Sequence, residues 1–121
     1  MRLDHVALTV SDRERSARFY GEYFGLTKRL HDDEHLLILG DGRGSVLALS
    51  SGVPAAERLP NSNHFGFRAE TRDEVLAARE RFRTVGIAET EWQDEPGLSR
   101  VQVADPDGYR IDLYTLDAAG F

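Results

Sequence analysis

The chain repeats itself, and that repeat limits its fold more than any other feature. Residues 3–10 alternate an apolar row, Val6, Leu8 and Val10, with a mixed row of Leu3, His5, Ala7 and Thr9. A period of two is that of a half-buried strand. Residues 63–69 do the same, with Phe65, Phe67 and Ala69 against His64, Gly66 and Arg68. Each stretch runs into a capping-box sequence, Ser11-Asp12-Arg13-Glu14 and Thr71-Arg72-Asp73-Glu74. In such a box the first hydroxyl and the last carboxylate satisfy free amides at a helix start. The helices that follow carry apolar residues at spacings of three and four: Ala17, Tyr20 and Phe24 with Phe19 and Tyr23, then Val75, Leu76, Ala78 and Phe82. Gly25 and Gly86 supply the left-handed stops.

Three strands follow each helix. In the first copy they cover residues 26–31, 35–39 and 46–50, with a turn at Asp32-Asp33 and a glycine-rich hairpin turn at residues 40–44. In the second they cover residues 87–93, 98–104 and 109–115, the last two joined by Asp105-Pro106-Asp107-Gly108. The chain is therefore a duplication of about sixty residues. The expected fold is α+β: two βαβββ units forming a curved mixed sheet with a concave ligand site and helices on the outer face. A single domain over residues 1–121 is expected, with unit one at 1–51, a linker at 52–61, unit two at 62–116 and a tail at 117–121.

Composition narrows the partners. A formal net charge of −6 argues against nucleic acid and anionic membranes, which are held largely by Lys and Arg. Small molecules remain. The chain has no cysteine, so a metal would need His and carboxylate ligands. Met1 leads directly into the first strand, without a signal-peptide pattern or an apolar run of membrane-spanning length, so a cytoplasmic location is expected.

His5 and His64 hold the same place in each copy, just before the apolar residue that opens the helix-facing row, so both imidazoles leave the sheet on the face away from the helices. On the last strand Ile111 and Leu113 point one way, while Arg110, Asp112 and Tyr114 point the other. If the copies pack symmetrically, His5, His64 and Asp112 converge. Two imidazoles and a carboxylate are a recognised ligand set for a divalent transition metal. A strand histidine taken singly is more often a hydrogen-bonded structural residue; the equivalent placement of the two favours the joint reading.

The paired units resemble a known family. So do the opening residues 3–10 with Ser16-Ala17-Arg18-Phe19-Tyr20 and Gly25-Leu26, and the closing residues 105–114. The chain is similar to the vicinal oxygen chelate superfamily, which includes glyoxalase I, fosfomycin- and bleomycin-resistance proteins and extradiol dioxygenases. The resemblance implies metal ligands on the first and last strands of each unit. His5 and His64 then match the two histidines, and Asp112 a position that is usually glutamate. It also implies a homodimer and a divalent ion, Mn, Fe, Zn or Ni, binding a small oxygenated substrate.

Ala48 stands where four-ligand members carry Glu or Gln, which disfavours glyoxalase I itself. What remains is a three-ligand enzyme of the lyase, transferase or dioxygenase kind. The alternative is a metal-free, bleomycin-resistance-like protein that sequesters a drug in an aromatic-walled groove. Trp92, Arg100, Arg110 and Tyr114 are the expected substrate-binding residues, and Tyr114 and His35 the candidate catalytic ones. Glu89 and Glu91 are expected to share one strand face at the rim, and the charges of the second helix to be solvated.

Overall fold

A computed structural model describes residues 1–117; the expected tail lies, apart from Asp117, outside the described residues. The chain sorts into two compact units, Met1–Arg58 and the stretch from Leu59 on. Unit one runs β1 (His5–Val10), α1 (Arg13–Phe24), β2 (Lys28–Asp32), β3 (Leu37–Gly40) and β4 (Val46–Ser51). After a short 3-10 turn, Ala56–Arg58, unit two repeats the order: β5 (Phe65–Arg68), α2 (Arg72–Thr84), β6 (Glu89–Glu95), β7 (Leu98–Ala104) and β8 (Arg110–Leu116).

Each unit is an α+β layer with one four-stranded mixed sheet, in the order β1-β4-β3-β2 and β5-β8-β7-β6. The first strand lies parallel to the last, and every other pair is antiparallel. Alternation places one row of β1, β3, β4, β7 and β8 under a helix, whereas β2 is exposed throughout. In unit one Val10, Leu37, Leu39, Leu47 and Leu49 are buried with Phe19 and Tyr20 of α1; in unit two Val101, Val103 and Ile111 are buried with Val75 and Phe82 of α2. Phe19 and Tyr20 meet edge to face at 5.1 Å, and Phe65 and Phe67 lie half-buried with ring centres 6.1 Å apart. Among the described residues no helix is long and apolar enough to cross a membrane.

The element ends differ from the sequence reading for identifiable reasons. α1 is capped by Asp12, whose carboxylate accepts from Arg15 N at 3.0 Å. Ser11 cannot form the expected box because both oxygens of Glu14 are taken by Arg29 of β2, at 3.0 and 2.6 Å. α2 is capped by Thr71 as expected, with Glu74 N donating to its hydroxyl. β3 starts two residues late because Asp33 Oδ1 accepts the amides of His35 and Leu36, both at 2.8 Å, and withdraws them from the ladder. β6 starts late because Ile87 N donates to Phe82 O, which extends the turn that ends α2 at the left-handed Gly86 (φ 81°).

α2 is also tied to its sheet at its first residue. Arg72 grips Asp94 of β6 through Nε at 3.0 Å and Nη2 at 2.7 Å, and Ser99 of β7 donates to Asp94 Oδ1 at 2.7 Å. The Arg72 bonds first, and then Ser99, hold the Asp94 carboxyl down at about 2. A folded value below the unfolded one of about 3.9 adds stability that is complete above about pH 4 and is lost as the pH falls through about 2. Asp94→Asn is therefore expected to flatten the acid limb of stability, measured as the urea midpoint between about pH 4 and pH 2. Parallel limbs in the variant and the parent would refute the tie.

Candidate functional site

The site is best located by comparing the two units residue by residue. In unit one the register joins Ala7, Ala48 and Ile38 across β1, β4 and β3. In unit two the same three places are held by Gly66, Asp112 and Gln102. Cross-strand partners share a face, so one scaffold presents small apolar side chains in unit one and a carboxylate with an amide in unit two. Ala48 is thus the repeat partner of Asp112, and its methyl cannot ligate.

Asp112 is buried, and every oxygen it carries is engaged. Oδ1 accepts from Gln102 Nε2 at 2.9 Å and from Arg100 Nη1 at 3.0 Å. Oδ2 faces His64 Nε2 at 3.2 Å. The far nitrogen of His64, Nδ1, lies 2.8 Å from the Ser62 carbonyl oxygen. A carbonyl only accepts, so Nδ1 carries the proton, and in the neutral ring Nε2 is a bare acceptor turned toward a carboxylate oxygen. Two acceptors do not face each other at that distance without a cation between them or a second proton on the ring.

Arg100 spans the edge of the cluster. Its second terminal nitrogen donates to Glu91 Oε2 at 2.6 Å. That hydrogen bond and the Arg100 charge, with smaller help from Arg110 and His64, hold the Glu91 carboxyl below its usual range. Burial opposes the Arg100 charge, and the bonds to Glu91 and Asp112 outweigh it, leaving the guanidinium more firmly protonated than usual. Tyr114 pairs by register with Arg100 and Arg68, and so shares this face with Asp112. Arg110 stands two residues before Asp112 on β8, in the same row.

His5, His35 and Trp92 have the following local surroundings. His5 opens β1 in unit one; its ring is mostly exposed, and Nδ1 lies 2.8 Å from Asp4 Oδ1. A carboxylate accepts, so Nδ1 is the donor and Nε2 is again bare. His35 stands in the β2–β3 turn, 83% exposed and 3.3 Å from Glu34. Trp92 belongs to the helix side of its strand: it pairs with Val101, and the Arg79 guanidinium lies 4.0 Å above its ring.

Glu89 and Glu91 do not share a face, contrary to the sequence expectation. The ladder between β6 and β7 slips between them, so that Thr90 is the extra residue of a bulge. Glu89 turns to α2 and binds Arg79 at 2.7 and 3.1 Å, whereas Glu91 turns to the Asp112 face. Unit one carries the same bulge between Arg29 and His31. Strict alternation could not reveal it. Gln102 was also missed, although its place two residues from Arg100 puts it in the same row.

Among the described residues no group of three or more His, Asp or Glu side chains is placed to hold an ion, so unit two offers a ligand pair. Their spacing suits one. Bonds of about 2.0–2.2 Å from a divalent ion set neighbouring N and O donors about 2.9–3.4 Å apart, and His64 and Asp112 stand at 3.2 Å.

Residues 2–113 match the model of the Glyoxalase/Bleomycin resistance protein/Dioxygenase superfamily. The chain belongs to that superfamily. A relative in Bacillus subtilis (strain 168), named "Probable trivalent organoarsenical cleaving enzyme", is 30% identical over 120 residues, covering 94% of this chain and 80% of the relative. Among solved structures, lactoylglutathione lyase from Agrobacterium tumefaciens has a TM-score of 0.76 at 24% identity, over 99% of this chain and 97% of the other. A variant of the fosfomycin resistance protein FosX from Listeria monocytogenes, solved with Mn(II) and 1S,2S-dihydroxypropylphosphonic acid, has a TM-score of 0.78 at 17% identity, over 98% and 91%. These two likenesses concern the fold.

Gly66 gives the site a direct test. A methyl group added there would lie 3.1 Å from Asp112 Cβ and 3.5 Å from a Tyr114 ring carbon. Gly66→Ala should therefore push Asp112 out of its place and destabilise the chain by about 1–3 kcal/mol, as overpacking does. Urea denaturation measures it, and an unchanged midpoint would show that β5 and β8 part without cost.

Proposed function

We propose that the chain is a small metal-dependent enzyme of its superfamily, binding an oxygenated organic substrate at a divalent ion held by His64 and Asp112. The observation that carries this reading is the pair of bare acceptors, His64 Nε2 and Asp112 Oδ2, at 3.2 Å. The third ligand that the resemblance assigns is His5, whose Nδ1 bond to Asp4 leaves Nε2 free in the manner of a carboxylate-oriented ligand histidine. A divalent ion so held acts as a Lewis acid toward a substrate oxygen. Gln102 and Arg100 keep Asp112 Oδ1 occupied and leave Oδ2 as the ligating atom. Tyr114 and Arg110, in the same row, are the groups that would contact the substrate.

The substrate class follows from the donor types. The relative's name concerns a trivalent organoarsenical; trivalent arsenic is a soft centre that favours thiolate, and this chain has no cysteine. An organic molecule offering neighbouring oxygens fits a nitrogen and carboxylate site better. The FosX complex, with Mn(II) beside a dihydroxy compound, supports that chemistry within the fold.

One observation favours a second reading, a metal-free binding protein. Arg100 already balances the Asp112 charge, and a doubly protonated His64 would complete an ion pair without any metal. Metal analysis separates the two. As purified without added ions, the full-length chain should carry one equivalent of Mn, Fe, Ni or Zn, and His64→Ala, Asp112→Asn and His5→Ala should each lower that content at least tenfold. A folded parent that takes up none of these ions after equilibrium dialysis but binds an aromatic cation would overturn the metal reading in favour of the binding protein.

A further inference from the structure

The Asp112 carboxylate is aimed by a second pair of side chains that no ligand pattern contains. Gln102 is 1% exposed in the middle of β7, and its amide is fixed at both ends. Asp112 Oδ1 only accepts, so the amide nitrogen must face it, at 2.9 Å. The amide oxygen then faces Thr90 Oγ1 at 2.8 Å, and the threonine hydroxyl is the donor. The chain of donors therefore runs in one sense, from Thr90 to Gln102 to Asp112.

Thr90 reaches Gln102 only because of the bulge. The ladder pairs Glu89 with Val103 and Glu91 with Gln102, leaving Thr90 as the unpaired residue beside Gln102. Unit one supplies the control within the same molecule: its bulge holds Leu30, and its Gln102 equivalent is Ile38, so the same backbone there carries no polar relay. The bulge belongs to the scaffold, and the hydroxyl and amide belong to the site.

We infer that Thr90 and Gln102 are positioning residues, which lock the Asp112 carboxylate with Oδ2 toward His64 and so set metal affinity. The inference rests on the metal reading above and adds to it two residues that touch neither ion nor substrate. Without the Thr90 hydroxyl, the buried Gln102 amide oxygen loses this donor, and the amide loses the anchor that holds its nitrogen against Asp112 Oδ1. Once the amide shifts from this place, its hold on Oδ1 weakens, and the carboxylate is free to rotate away from His64.

The test uses the full-length chain with Mn(II) alone, its affinity read by electron paramagnetic resonance. Thr90→Val, close in volume, should weaken Mn(II) binding about tenfold or more, within the range of lost ligand-orienting hydrogen bonds, and Thr90→Ser should restore it. Gln102→Met should weaken it at least as much. Wild-type affinity in Thr90→Val, or a loss that Thr90→Ser fails to recover, would overturn the inference. If the parent itself binds no Mn(II), the metal reading fails separately. The relay is then read in the metal-free protein from the ring 15N signals of His64. A change in Thr90→Val that Thr90→Ser reverses upholds it, and identical spectra overturn it.

Discussion

A buried carboxylate dictates the arrangement of unit two. Asp112 is buried on the sheet face opposite the core residues Ile111 and Val101, where an unpaired charge would cost several kcal/mol. Arg100 and Gln102 of β7 and His64 ahead of β5 supply its partners. The residues opposite it are constrained in turn. Gly66 must lack a side chain to let Asp112 approach, and Arg100 needs Glu91 to share its charge. The bulge at Thr90, which the scaffold carries in both units, turns Glu91 to the same face. Each of these residues is explained by the carboxylate, and none by packing alone.

The duplication shows what such a device requires beyond the fold. Both units have the same strand order, the same parallel pairing of first and last strands and a bulge at the same place. Unit one nevertheless pairs Ala7, Ala48 and Ile38 where unit two pairs Gly66, Asp112 and Gln102. The scaffold is therefore indifferent to the site, as expected where function is grafted on a fold. The histidines are the exception, kept at equivalent places in both units with Nδ1 bonded in each case to an oxygen acceptor. Sheet packing does not demand this, and the proposed ligand role accounts for it.

Most of the architecture was legible in the sequence, because period-two rows, caps and left-handed glycines are local signals. The α+β layers follow from reading them twice. Local signals failed where a distant partner intervened: Arg29 took Glu14 from its capping box, and the Asp33 carboxylate took the amides that would have opened β3. The site was legible in part. His64, Asp112 and Arg100 stand out by residue type and row. Thr90 and Gln102 do not, since a threonine in a strand is ordinary and the bulge that gives it meaning is a property of pairing. The same bulge reversed the expected side of Glu89 and left Trp92 under Arg79.

The short side chain of Asp112 has a consequence for how the site works. A glutamate at this place would carry its carboxylate one methylene farther from β8, beyond the level at which Gln102, its direct cross-strand partner, can meet it. Aspartate keeps the carboxylate within reach of β7, and that is why two donors converge on Oδ1 while Oδ2 alone is left toward His64. In the proposed metal site, the ligating group is thereby restricted to one oxygen with a fixed direction, in place of a flexible carboxylate that could bind through both. Gly66, Gln102 and Asp112 consequently form an interdependent set: the glycine makes room for the shorter acid, and the amide on the opposite side determines its angle. An exchange of the acid alone would disturb both neighbours, whereas unit one, with alanine, alanine and isoleucine at the three places, shows the same backbone relieved of all three demands at once.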